Sequence, residues 1–164
     1  MKQTDNFKFD EANVMNELVY RNLSEDAKRQ ICAWKYGGEY DLYNLPSYEE
    51  MQVRQIGFMN PQREKNYYGF WDESILVGFV NILEEKEEVF IGIGVNPDLC
   101  NKHYGQRMLL ITYEISKKLY PDKPLYLEVR TWNIRAVKCY QKAGFRIDGQ
   151  AYELTTGIGT GTFY

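Results

Sequence analysis

The stretch from Tyr67 to Val95 constrains this chain most. Three runs rich in β-branched and aromatic residues, "YYGFWD", "ILVGFVNILE" and "VFIGIGV", follow one another across short polar connectors, Asp72-Glu73-Ser74 and the charged "EEKEE" that ends at Glu88. Such connectors are hairpin turns; a parallel pair would need a crossover of a dozen or more residues. The three runs therefore predict an antiparallel meander, and the rest of the chain must pack around it.

After Pro97 the period changes. Met108, Ile111, Thr112, Ile115 and Leu119 recur every three or four residues, which predicts a helix of about four turns closed by Pro121. "LYLEV" (125–129) reads as a short, mostly buried strand, and Asn133 to Lys142 as a helix stopped by Gly144 in a left-handed cap. "FRIDGQAYELT" and "GTFY" read as a closing pair of strands joined by the Gly-rich "TGIGTG"; the sequence stops at Tyr164, inside the second of them, which leaves room for further residues. Upstream of Tyr67 the pattern is helical. Residues 11–22 place Met15, Leu18 and Val19 on one face, and Ser24 caps a helix carrying Glu25 and Asp26 in its first turn and Ala27, Ile31 and Trp34 along one side. Residues 36–43 read as a loop, and Ser47 with Glu50 as a capping box opening a helix from Tyr48 to about Ile56. The order predicts a mixed α/β domain around one sheet.

Composition narrows the function classes. The 164 residues carry 20 Lys+Arg against 23 Asp+Glu, a formal charge of −3, with no basic tail, which argues against a phosphate-neutralising nucleic-acid binder. No apolar stretch is long enough for a membrane span, and the N-terminal residues do not read as a signal peptide. One His and three widely spaced cysteines, Cys32, Cys100 and Cys139, make a zinc site or a disulfide framework a poor fit, so no metal is expected, and the thiols suit a reducing cytoplasm. The aromatics of "YYGFWD" read as strand packing rather than a base-stacking platform, and "EEKEE" as a solvated turn.

Two segments are candidates for chemistry. The first is strand–loop–helix, residues 89–119: a helix N-terminus offers unpaired N–H groups to an anion, Asn101 and Gly105 permit close approach, and Lys102 adds charge. Alone it equally describes a structural turn. The second is "LEVRTWNIRAVKCYQKAGF" (127–145), where Asn133 and Tyr140 fall on one helix face; read plainly, Asn133 is an N-cap and Tyr140 a core aromatic.

Together these residues resemble the GCN5-related N-acetyltransferases, which move an acetyl group from acetyl-CoA to an amine. Asn133, Ala136, Tyr140, Lys142, Gly144 and Phe145 match that family's last motif, and the similarity runs from about Tyr67 to Phe145. The resemblance implies a mixed sheet splayed open between "VFIGIGV" and "LYLEV", with the cofactor's pantetheine arm in the cleft. It implies a single domain over 1–164: residues 1–66 on the acceptor side, 67–145 as the acetyl-CoA core and 146–164 as a C-terminal hairpin. It implies a cofactor-binding set of Ile93, Gly94 and Val95 on the strand, Cys100, Asn101, Lys102, His103, Tyr104, Gly105 and Gln106 on the pyrophosphate loop, and Asn133, Arg135 and Tyr140. The loop departs from the family's Gln/Arg-x-x-Gly-x-Gly/Ala pattern: with Gly105 as its last glycine, Cys100 and His103 fill the first two motif positions.

For mechanism, an alkylammonium must lose a proton before it can attack, and the leaving thiolate must gain one. Tyr140 is the expected general acid. Backbone N–H groups near Ile93 to Val95 are expected to hold the developing oxyanion. Glu128, twelve residues before Tyr140 as in the "LEVR" of ribosomal-protein N-terminal acetyltransferases, is the candidate base; a solvent-facing Glu128 with a water chain is the other option. Cys100 is read as a small hydrophobe, not a nucleophile. The acidic, aromatic segment 36–43 is open between an acceptor cover and plain packing, and dimerisation through the last strands, common in the family, is undecided. Against the enzyme stands a non-catalytic acyl-CoA-binding sensor or assembly module of the same fold.

Overall fold

The computed structural model describes residues 1–4 and 18–164. Seven strands form one sheet: β1 (Lys2–Gln3), β2 (Val19–Asn22), β3 (Tyr67–Asp72), β4 (Ile75–Glu84), β5 (Val89–Val95), β6 (Leu125–Tyr126) and β7 (Phe145–Arg146). Their order is β2-β3-β4-β5-β6-β1-β7, with β8 (Tyr152–Thr156) and β9 (Gly159–Phe163) in a separate hairpin. Every pair is antiparallel except β5–β6. The predicted meander is β3-β4-β5, and its register places Tyr67 opposite Asn81 and Asn81 opposite Gly92.

Among the described residues four α-helices cover the two faces: α1 (Glu25–Ala33), α2 (Tyr48–Arg54), α3 (Tyr104–Leu119) and α4 (Ile134–Lys142). On one face α3 and α4 close over Val80, Ile82, Val89, Ile91, Met108 and Leu127, all essentially removed from water. Each such side chain contributes on the order of 1.5–3 kcal/mol through burial. On the other face α1 and α2 pack Ala27, Ile31 and Met51 against Phe58, Trp71 and Leu76. The caps follow the sequence: Ser24 Oγ accepts from Ala27 N–H, Ser47 Oγ from Glu50 N–H and Asn133 Oδ1 from Ala136 N–H. Gly144 ends α4 with φ +87°, as a left-handed cap requires.

The structure corrects several boundaries. Of the helix expected over 11–22, residues 11–17 lie outside the described part, and Val19–Asn22 is strand β2, paired with Tyr68–Trp71. Sheet pairing overrides helical spacing there, and Asn22 Nδ2 secures the end by donating to the carbonyls of Lys65 and Tyr67, both at 3.0 Å. Segment 38–43 winds into a 3-10 helix rather than a loop, and α2 stops at Arg54 because Gln55 turns left-handed. Lys2–Gln3 was not foreseen as a strand; its short run gives no periodicity, and it finds a place only because β6 and β7 leave a gap between them. Residues 1–4 thus belong to the far end of the sheet, between β6 and β7, not to the acceptor side.

The expected strand 125–129 pairs with β5 only at Val89–Leu125 and Phe90–Tyr126. Beyond that point its backbone turns elsewhere: Leu127 N–H donates to Met1 C=O, and Val129 and Tyr164 exchange hydrogen bonds. The predicted final strand 145–155 breaks likewise into β7, which joins β1, and β8, which joins β9.

Candidate active site

That divergence makes the site. β5 and β6 are hydrogen-bonded at one end and apart at the other, so residues 91–95, paired with β4 on one side, face an opening on the other. A cleft of about 740 Å³ runs through it, from the α1/α2 face to the start of α3 and α4. Ile93, Gly94 and Val95 line it, as do Cys100, Asn101, His103, Tyr104, Gly105, Gln106, Glu128, Asn133, Arg135 and Tyr140. Of the residues predicted for the site, Lys102 alone is not on its wall; its side chain is exposed.

At one end of the cleft is the first turn of α3. Arg107 N–H makes the first helical bond, to His103 C=O, and His103 caps the helix without a side-chain acceptor. The N–H groups of Tyr104, Gly105 and Gln106 thus lack helical partners, an arrangement that suits phosphate oxygens. The loop before them is tightly wound: Asn101 and His103 both hold left-handed backbone, φ +65° and +64°. For His that conformation is uncommon and costs energy which Gly would not incur. Gly105 is demanded by packing, since a Cβ there would lie 2.9 Å from Cys139 Sγ on α4. Gln106 Nε2 donates to Lys142 C=O at 3.3 Å, a second tie between the two helices.

Neither thiol in the cleft is an activated nucleophile. Burial pushes Cys100 above the ordinary thiol range and Cys139 up to about 11. Burial also raises the Tyr140 phenol, helped by the nearby Cys139, Tyr43 and Tyr36, so its hydroxyl keeps its proton. Its ring leans on Phe145, centroids 6.5 Å apart. Glu128, half-buried, lines the cleft, and its carboxylate accepts a hydrogen bond from Tyr152 Oη on β8 at 3.0 Å.

Other lining residues were not foreseen. Tyr36 donates its hydroxyl to Val95 C=O at 2.7 Å. Asn133 Nδ2 donates to Tyr43 Oη at 3.3 Å, Tyr40 and Tyr43 stack on Trp132 at 5.6 and 6.0 Å, and the Arg135 guanidinium lies 4.1 Å above the Tyr40 ring. The end of segment 36–43 therefore stands on the cleft wall through Tyr36 and Tyr43, and Tyr43 ties it to the start of α4. Arg130, 7% exposed, donates to the carbonyls of Ile158, Gly159 and Thr160 and holds the hairpin against the site. Asn81 is the unforeseen residue with a visible signal, a polar residue amid "ILVGFVNIL".

The profile of the acetyltransferase (GNAT) family matches residues 29–145, most of the chain. The chain belongs to this family. As a GNAT protein it is an acetyl-CoA-dependent N-acetyltransferase, and its fold agrees with solved relatives. It resembles AAC(6')-Ib in complex with ribostamycin and coenzyme A (16% identity, TM-score 0.67, 90% of this chain and 92% of that one). It resembles a spermidine N-acetyltransferase SpeG chimera from Vibrio cholerae and hSSAT (18%, TM-score 0.69, 90% and 93%). It also resembles a GNAT acetyltransferase from Streptococcus pneumoniae (22%, TM-score 0.63, 90% and 96%). No curated protein matches it. The residues present fit the GNAT cosubstrate: an open strand edge for an extended arm, and unpaired N–H groups on α3 for its diphosphate. Among the described residues no group of His, Cys, Asp and Glu could hold a metal, and no helix is long and apolar enough to cross a membrane.

Proposed function

We propose that the chain works as one domain that joins acetyl-CoA and a primary amine across the β5/β6 opening, with Tyr140 as general acid and Glu128 as base. The observation that carries this reading is the placement of both side chains on the wall of one cleft that also contains the unpaired turn of α3. Residues 67–145 supply the cosubstrate half, 18–66 the acceptor half and 146–164 the hairpin that orients Glu128.

The ammonium of the acceptor gives one proton to Glu128, directly or through water. The freed nitrogen lone pair forms a bond to the thioester carbon, and backbone N–H groups of Ile93 to Val95 steady the oxygen as it gains charge. The C–S bond then breaks. Tyr140 gives its proton to the departing sulfur and recovers one from the nitrogen as it becomes an amide, so one proton is released overall. The diphosphate is held by the N–H groups of Tyr104, Gly105 and Gln106, with Arg135, Lys138 and Lys142 supplying positive charge on the same wall. Free cysteines at 32, 100 and 139 suit a reducing compartment, and we place the enzyme in the cytoplasm.

Calorimetric titration with acetyl-CoA and CoA, followed by an assay of amine acetylation, tests this. Binding in the micromolar range with transfer to an amine is the expected result. Binding without transfer to any amine would support the acyl-CoA sensor, which the strained His103 in the diphosphate loop favours. No binding at millimolar acetyl-CoA would remove both readings.

A further inference from the structure

The acceptor half of the cleft has a chemistry of its own. Trp34, Tyr67 and Phe79 line it, with ring centroids 6.2 Å apart for Trp34–Phe79 and 6.4 Å for Tyr67–Phe79. Phe58, fully buried, meets Tyr67 and Phe79 edge-on from behind, so this floor is held in place before any ligand arrives. In the middle of the floor is Asn81, between Tyr67 and Gly92 in the cross-strand row. Gly92 leaves a hollow: a Cβ there would touch only Asn81 Cβ and Phe90 Cε1, at 3.5 and 3.6 Å. The Asn81 carboxamide oxygen is buried with no hydrogen-bond partner. A buried acceptor left unpaired is costly, and proteins keep few of them without a use.

Charge narrows the ligand further. Among the described residues on the wall, Glu128 is the one carboxylate. A polycation would bring several positive charges to a site with a single counter-charge, whereas one ammonium finds one carboxylate. The cleft, about 740 Å³, must also hold the acyl end of the cosubstrate, which favours a small molecule over an extended polypeptide.

We propose that the acceptor is a small monoamine on a flat apolar body, an arylalkylamine, whose ring lies on Tyr67, Phe79 and Trp34 and whose nitrogen donates a hydrogen to the Asn81 carboxamide oxygen once that group turns about its Cβ–Cγ bond toward the cleft. The inference rests on the acetyl-transfer reading and names the substrate class of that site. Bound this way, the nitrogen stands at the Gly92 hollow beside the open edge of β5, where a thioester can be met.

The test compares acetylation of 2-phenylethylamine, spermidine, kanamycin and a short peptide by the intact protein, with calorimetric binding of 2-phenylethylamine to the CoA-loaded protein. We expect kcat/KM for 2-phenylethylamine to exceed that for spermidine and kanamycin by about tenfold or more. Asn81→Leu, of similar size, is expected to raise KM for 2-phenylethylamine about tenfold while the acetyl-CoA affinity stays put. Preference for spermidine, kanamycin or the peptide overturns the proposal and leaves acetyl transfer standing. An unchanged KM in Asn81→Leu overturns the role of Asn81, its oxygen then being met by water. If no amine is acetylated the acetyl-transfer reading falls, and the calorimetric titration still decides whether the chamber takes the aromatic amine.

Discussion

Tyr36 is bonded to Val95: its hydroxyl reaches the last carbonyl of β5 at 2.7 Å across 59 residues of sequence. This bond fastens the segment after α1 to the strand end beside the opening, and burial keeps the phenol protonated as a donor. Tyr36→Phe deletes it and leaves a buried carbonyl unpaired. Urea denaturation is expected to show a loss of about 1 kcal/mol. Amine KM is expected to rise more than acetyl-CoA KM, because that segment belongs to the acceptor half.

Tyr140 gives a prediction about pH. Its pKa lies above the usual phenol value, so it stays protonated, and able to donate, throughout the range in which an amine loses its proton. The rate should rise as pH increases from about 7 to 9 and show no descending limb below about 10. Tyr140→Phe should retain CoA binding by calorimetry and lower kcat about tenfold or more. A fall in rate already at pH 9 in the wild-type protein would mean that a different acid serves the thiolate.

Glu128 and Tyr152 separate proton transfer from positioning. Glu128→Gln keeps shape and a hydrogen-bonding partner for Tyr152 but cannot take a proton. Its pH–rate profile is expected to shift its ascending limb upward, toward the pKa of the free amine. Tyr152→Phe removes the 3.0 Å bond and leaves the carboxylate in place. It should change kcat by less than about threefold and the acetyl-CoA affinity not at all.

His103→Gly relieves a left-handed residue at the mouth of the diphosphate loop. Stability should increase by about 0.5–1 kcal/mol, less than the full cost of a left-handed residue because Gly loses more freedom on folding. CoA affinity should increase as well, measured by calorimetry, since the backbone N–H groups of α3 become easier to approach.

Gly105→Ala drives a methyl group against Cys139 Sγ and pushes α3 from α4. We expect a loss of about 1–3 kcal/mol in thermal denaturation and weaker CoA binding. Adding Cys139→Ala should restore most of both, since it removes the atom that is struck. Failure of the second substitution to restore stability would mean that Gly105 is needed for its backbone rather than for the contact.

Much of the fold was legible in local pattern. The three runs from Tyr67 to Val95, the caps at Ser24, Ser47 and Asn133 and the stop at Gly144 depend on neighbours within a few residues, and the structure has each where the pattern places it. The motif residues around Asn133 and Tyr140 were legible for the same reason, since helix spacing alone puts them on one face. Val19–Asn22 misled because an amphipathic spacing suits either a helix or an edge strand, and only the presence of β3 beside it decides.

The sequence by itself determined the meander and the helices α1 to α4, because these rest on periodicity, capping and turn chemistry between residues close in the chain, and its motif around Asn133 and Tyr140 carried the resemblance to the family. The opening between β5 and β6 was implied by the resemblance, but only the tertiary structure decided what lines it. The bonds from Tyr152 to Glu128, from Tyr36 to Val95 and from Asn133 to Tyr43 all join residues that are distant in sequence. Such contacts form when long-range packing settles which backbone groups find partners, and local pattern carries no record of that competition.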